Sequence, residues 1–213
     1  IRNSGGIRSL VNPDTEDREF LVFVTSDDQN SHQNPWEDVI NQEDGTARYW
    51  GDAKSRDNPN PNNATGNEWV KSDYCETYAQ DNRTDAPPIL LFEKPQSGEV
   101  IFRGLCILMD LSIERHRNEG ETVVNYLFDL AILDVDVVDL EWIHRKAETG
   151  VDVDGPDPWN EWVKTGRVNR YSIWKDSIRS KQAQLPGPSY EPLLDDVRTK
   201  LDNPRKGEKL EVL

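Results

Sequence analysis

Hydrophobic and polar positions change period several times along the chain, and each change marks an element. Arg18–Thr25 (REFLVFVT) is a short apolar run rich in β-formers and reads as a buried strand. Asp27–Asn34 is polar and turn-like, and Asp44-Gly45 is a turn signal that feeds a second strand, Thr46–Trp50. The Asn-, Pro- and Asp-rich stretch from Asp52 to Asn67 predicts a long loop, of a length at which loops commonly carry function. Behind Pro87-Pro88 follow three strand candidates, Ile89–Glu93, Val100–Met109 and Leu111–Arg117. Asn118-Glu119-Gly120 closes a hairpin onto Val123–Asp134, where Tyr126, Phe128, Leu130 and Ile132 alternate as the inward face of a half-buried strand. Asp157-Pro158-Trp159 predicts a helix start with Pro158 at the first helical position. Helical patterning returns over Tyr171–Gln184 and Pro192–Leu201. Strands in the middle and helices at the end predict an α+β chain on a curved, mainly antiparallel, barrel-like sheet spanning residues 18–145.

Composition sharpens the class. The chain has 213 residues, 35% hydrophobic and 31% charged, with seven Trp, six Tyr and five Phe, which suits a folded chain with a modest core. No apolar run reaches the roughly 20 residues of a membrane-spanning helix. Lys and Arg total 25 against 40 Asp and Glu, a formal net charge of −15. Such a charge opposes non-specific attraction to nucleic acid or anionic lipid at ordinary salt. The acidity is of one kind, 23 Asp beside only 10 Lys and 15 Arg. That balance suits a salt-loaded, halophilic cytoplasm, where screening removes self-repulsion. Cys75 and Cys106 with three His give neither metal spacing nor a disulfide framework, so a reducing cytoplasmic setting without a cofactor is expected. The acidic strip Asp134, Asp136, Asp139 and Glu141 alternates with Val135, Val137 and Val138 as a solvated strand face. The ending Leu210-Glu211-Val212-Leu213 matches the start of a protease site used to remove tags. Residues 209–213 are therefore expected to be a linker remnant, and the chain a domain taken from a longer protein.

Candidate chemistry concentrates in Asp44–Lys54 (DGTARYWGDAK). A strand ends in two aromatics, Tyr49 and Trp50, a glycine permits a sharp turn, and Asp52 and Lys54 follow. Asn34-Pro35-Trp36-Glu37-Asp38 lies upstream. Aromatic rings beside a carboxylate suit a flat heterocycle, with rings on its faces and the acid on its hydrogen-bonding edge. A metal-dependent nuclease core is a second arrangement, with Asp38, Asp52 and Lys54 as two acids and a lysine around Mg²⁺, although Gly51 breaks the strand on which such a lysine would ride. Filling of the core is the ordinary alternative for Trp36, Tyr49 and Trp50 taken singly. Cys106, inside an apolar strand, reads as a small core residue.

Gly-x-x-x-Tyr-x-Gly after an acidic turn resembles the signature strand of SRA-type domains, which recognise modified cytosine by flipping it out of the duplex. Asn-Pro-Trp-Glu-Asp, Tyr-Trp-Gly-Asp-Ala-Lys, Leu-Leu-Phe-Glu-Lys and Phe-Arg-Gly-Leu together resemble the N-terminal recognition domains of modification-dependent restriction endonucleases of the AspBHI and MspJI type. The resemblance implies an SRA/PUA-like recognition domain over residues 1–145, a helical extension over 146–208, and a separate nuclease domain in the parent chain. It implies double-stranded DNA carrying a modified base, most often 5-methylcytosine, as the partner. Tyr49 or Trp50 would stack on the flipped base, with Trp36 as a second stacking residue. Asp52 would bond its polar edge, and Arg48, Lys54, Arg56 and Arg103 would meet the DNA backbone. The chain itself would bind without cutting. Reading of another modification, such as a phosphorothioate, and a non-catalytic protein-interaction module remain the alternatives.

Overall fold

The computed structural model describes residues 6–26, 37–53, 60–96, 98–118, 121–150, 154–172 and 209–211. Seven strands form one sheet: β1 (Gly6–Val11), β2 (Arg18–Ser26), β3 (Val39–Asn41), β4 (Thr46–Trp50), β5 (Ile89–Lys94), β6 (Ile101–Asn118) and β7 (Glu121–Ile132). Their spatial order is β1-β2-β5-β6-β7-β4-β3. Every pairing is antiparallel except β2 with β5. A short β8 (Val137–Asp139) pairs with β9 (Lys209–Glu211). Among the described residues there are three α-helices: α1 (Thr65–Gln80), α2 (Leu140–Thr149) and α3 (Asp157–Thr165).

The sheet curls until its two ends meet through side chains. Three strands separate β2 from β4 in the sheet order. Even so, the Phe23 and Tyr49 rings lie 4.7 Å apart, and the Tyr49 hydroxyl donates to the Val24 carbonyl at 3.2 Å. Asp52, just past β4, accepts from the Ile7 backbone N–H on β1 at 3.0 and 3.2 Å. No backbone ladder joins β1 to β3 or β4 among the described residues. The result, among the described residues, is a curved sheet in an α+β fold, fastened by side chains and not closed into the hydrogen-bonded barrel that the sequence suggested. Register shifts at Leu91/Phe92 and Leu108/Asp110 mark the bulges where the curl tightens.

α1 lies on the concave side. Gly66 approaches Ile7 so closely that a Cβ would stand 2.7 Å from the Ile7 Cβ. Tyr74 donates to Pro87 O at 2.8 Å, and Tyr78 donates to Leu108 O. On the opposite side Trp142 of α2 packs edge-on against Phe20 at 5.2 Å. With both faces covered, β2 is buried at every position but its ends. That explains why REFLVFVT is a continuous apolar run and not an alternating one.

The sequence expectations hold for β2, β4, β5, β7 and the start of α3, whose first turn contains Pro158. Val100–Met109 and Leu111–Arg117 are one strand, β6, bent at the bulge that leaves Met109 outward and 47% exposed. The loop expected over 52–67 ends early: Pro61–Asn63 is a 3-10 turn and Thr65 opens α1. Of the acidic strip, Asp139 caps α2 by accepting from Glu141 N at 2.8 Å, so Glu141 is helical and not part of a strand face. The helical patterns over Tyr171–Gln184 and Pro192–Leu201 lie almost wholly outside the described residues. No helix among the described residues is long and apolar enough to cross a membrane.

Candidate nucleic-acid interface

The end of β4 is where the curled sheet is fastened, and of the candidate side chains Tyr49, Trp50, Asp38 and Asp52 are found there. Residues alternate along β4, so Ala47 and Tyr49 point into the concavity while Arg48 and Trp50 point to the other face. Tyr49 is 1% exposed, and its hydroxyl stands where β1, β2 and the turn converge. Burial drives this phenol well above its ordinary pKa, and the charges of Asp38 and Asp52 push the same way. Asp38, just before β3, accepts from Trp50 N at 2.8 Å, and Asp52 holds Ile7 N through both oxygens.

Behind this pair lies a buried polar node. Asn67 and Asn125 are both 0% exposed. Asn67 Oδ1 accepts from Asp52 N at 2.7 Å, and its Nδ2 donates to Pro61 O at 2.9 Å. Asn125 Nδ2 donates to Gly51 O at 2.7 Å. Tyr126 Oη bonds Asn62 at 2.5 Å, and Gly51 N donates to Tyr126 O at 2.9 Å. Only glycine fits at 51, because a Cβ there would stand 2.3 Å from Asn67 Oδ1. Neither asparagine was legible as part of the site, since each is a single polar residue in a segment whose pattern pointed elsewhere.

Several sequence-predicted roles change on this geometry. The Tyr49 ring lies against Phe23 in the core and its hydroxyl is bonded to Val24 O, so it has no open face for stacking. Trp50 is half-buried on the other face of β4, opposite Leu127 of β7. Arg48 pairs with Asp129 at 3.0 Å on the surface, and Arg103 with Glu93 at 2.5 Å. Both cations are thus engaged by acids of this chain. Of the nuclease arrangement, Asp38 bonds Trp50 N and Asp52 bonds Ile7 N. Trp36, Lys54 and Arg56 lie outside the described residues. Among the described residues, no group of three His, Cys, Asp or Glu is placed to hold a metal ion. Cys106 is buried, as its strand position suggested, and burial alone raises its thiol pKa.

One element projects from the frame. The β6–β7 ladder continues to Asn118 opposite Glu121, whereas β4 ends at Trp50, opposite Leu127 of β7. Beyond that point stands a two-stranded ribbon whose described side chains include exposed Glu114 and Arg115 and a 58%-exposed Ile113.

Comparison with known proteins gives the arrangement its relatives. Comparison with curated proteins returns no match. Among solved structures, the chain is similar to the DNA modification-dependent restriction endonuclease AspBHI, with 25% identity over 80% of each chain and a TM-score of 0.63. It is also similar to the MspJI restriction endonuclease in complex with a 27-mer oligonucleotide, with 25% identity and a TM-score of 0.66. That match covers 81% of this chain and 45% of MspJI, so this chain spans a little under half of MspJI. The DNA recognition domain of the cytosine modification-dependent endonuclease LpnPI shares the fold at 21% identity, with 79% and 78% of the two chains covered and a TM-score of 0.60. Residues 1–174 match the family described as restriction endonuclease AspBHI N-terminal, and the chain belongs to that family of recognition domains.

Proposed function

We propose that this chain is the specificity module of a modification-dependent restriction endonuclease, and that it reads a modified cytosine flipped out of duplex DNA. The observation that carries this reading is the pair of carboxylates held at the end of β4, Asp38 on Trp50 N and Asp52 on Ile7 N, where the curled sheet is fastened beside Trp50. Family membership and the likeness to AspBHI and to oligonucleotide-bound MspJI support it. A carboxylate is an acceptor-only group, suited to the exocyclic amino group of cytosine. It cannot sense a methyl, so an apolar wall is needed as well, and Trp50 and Trp36 are the side chains proposed for it and for stacking. Lys54 and Arg56, which follow the turn in sequence, are the proposed phosphate contacts. Arg48 joins them only by exchanging Asp129 for a phosphate, an exchange of low cost because exposed ion pairs are worth at most about 1 kcal/mol. Cutting belongs to a separate domain of the parent chain.

The test is binding of the 213-residue chain, at high salt, to matched duplexes differing in one 5-methylcytosine. Tighter binding to the modified duplex is expected, and Asp38→Ala should weaken both complexes. Equal binding of modified and unmodified duplexes by the unaltered chain would sink the reading. Incubation with Mg²⁺ or Mn²⁺ should leave modified DNA intact; cleavage lost in Asp52→Ala would assign the nuclease role to this chain instead.

A further inference from the structure

The Gly51–Asp52 peptide is held at both of its polar ends by side chains that are themselves fully buried. Its carbonyl oxygen, on Gly51, accepts from Asn125 Nδ2 at 2.7 Å. Its N–H, on Asp52, donates to Asn67 Oδ1 at 2.7 Å. The two asparagines approach each other at 3.5 Å, Asn67 Nδ2 to Asn125 Oδ1. Asn67 is anchored further by Pro61 O, and Asn125 Oδ1 also accepts from Tyr126 N. One amide plane is therefore clamped from opposite sides, by the first turns of α1 and by the middle of β7.

We propose that Asn67 and Asn125 are positioning residues that fix the orientation of the Gly51–Asp52 peptide, and through it the direction in which the Asp52 carboxylate is presented to DNA. This inference rests on the modified-base reading above. Rotation of that peptide would break both short hydrogen bonds and leave two amide side chains unsatisfied in the interior. Each such loss carries the full desolvation cost of a buried polar group. A turn exposed to solvent has no such constraint and samples several orientations. Here the glycine that permits the turn is also the residue whose missing side chain admits the Asn67 amide. Freedom and restraint are thus built into the same position.

Two measurements on the 213-residue chain test the clamp. The first needs no variant: amide hydrogen exchange at Asp52. Protection like that of the neighbouring sheet amides is expected, and exchange at the rate of an unstructured amide overturns the clamp. The second compares a duplex carrying one 5-methylcytosine with its unmodified match, using Asn125→Ala and Asn67→Ser. A positioning role weakens both duplexes about tenfold or more in a variant whose urea midpoint shows it folded, and speeds exchange at Asp52 alone. A merely structural role lowers both affinities only in proportion to the folded fraction, and that result overturns the proposal. So does full retention of affinity in a folded variant. If the unaltered chain shows no preference at all, the modified-base reading fails, and exchange at Asp52 still decides whether the clamp exists.

Discussion

At the scale of single residues, Tyr49 joins fold and site. Its ring packs on Phe23 while its hydroxyl spans the gap to β2. Tyr49→Phe keeps the ring and removes the hydroxyl, and should cost about 1 kcal/mol in urea unfolding, the usual net worth of one hydrogen bond. Burial raises the phenol pKa of Tyr49 and of Tyr74, with Asp38 and Asp52 adding at the first and Tyr78 at the second. An unfolded chain ionises tyrosine near pH 10, at about the unperturbed value. The stability contributed by the two buried phenols is complete below that pH and is lost as pH rises through their raised folded values. Part of the phenolate absorbance should therefore appear together with the loss of fold in alkali. Ionisation of all six tyrosines with near-UV dichroism intact would refute this. The Tyr-Trp-Gly-Asp run located the turn in the sequence, because two aromatics, a glycine and an acid stand consecutively. Which aromatic faces inward was not legible there: strand parity at β4 depends on its register with β7, which no local pattern encodes.

At the scale of elements, α1 is the helix that sequence patterning missed, for a physical reason. Its buried positions are Gly66, Asn67, Val70, Tyr74 and Thr77, only two of which are apolar. A helix that packs by close approach and polar bonding leaves almost no hydrophobic periodicity to read. α2 shows the converse. Trp142, Ile143 and Lys146 mark its buried face, yet Asp139, Glu141 and the valines before it imitated an alternating strand. α2 is fixed to the sheet by Lys146 Nζ, 3.0 Å from Glu19 Oε2, with side chains only 10% and 9% exposed. Lys146→Ala strands a buried carboxylate and should cost about 3–5 kcal/mol, whereas replacing both partners with apolar residues of like volume should cost far less. Urea midpoints of the single and double variants distinguish these outcomes. The β6–β7 ribbon, by contrast, was foreshadowed by Asn118-Glu119-Gly120 between two strand patterns. A two-stranded ribbon fits the DNA major groove, and Arg115 is its exposed described cation. Arg115→Ala should weaken modified and unmodified duplexes alike and reduce the salt slope by about 1; loss confined to the modified duplex would place the ribbon at the base pocket instead.

At the scale of the molecule, a domain proposed to bind DNA carries a formal charge of −15. The structure makes that more acute, because many of its cations are spent on acids of the same chain. Arg18 bonds Asp73, Arg48 bonds Asp129, Arg83 bonds Asp81, Arg103 bonds Glu93 and Lys146 bonds Glu19. The remaining acids repel one another across the surface at low salt, and screening shortens that repulsion from a reach of about 10 Å at 0.1 M to about 3 Å at 1 M. The melting temperature should therefore climb as KCl is raised over that interval; a flat or falling trend would remove the case for a halophilic setting. Salt acts on DNA binding in the opposite sense, and by an amount that counts phosphate contacts. Each neutralised phosphate contributes about 0.9 to the negative slope of log K against log salt on duplex DNA. With Lys54, Arg56 and Arg115 as contacts, the slope should be about −3. Binding then survives salt that dissociates a broadly basic protein, and discrimination falls to the base pocket instead of the backbone. Duplex titrations from 0.1 to 1 M KCl measure the slope directly. A value of −8 or steeper would mean many more phosphate contacts than these three.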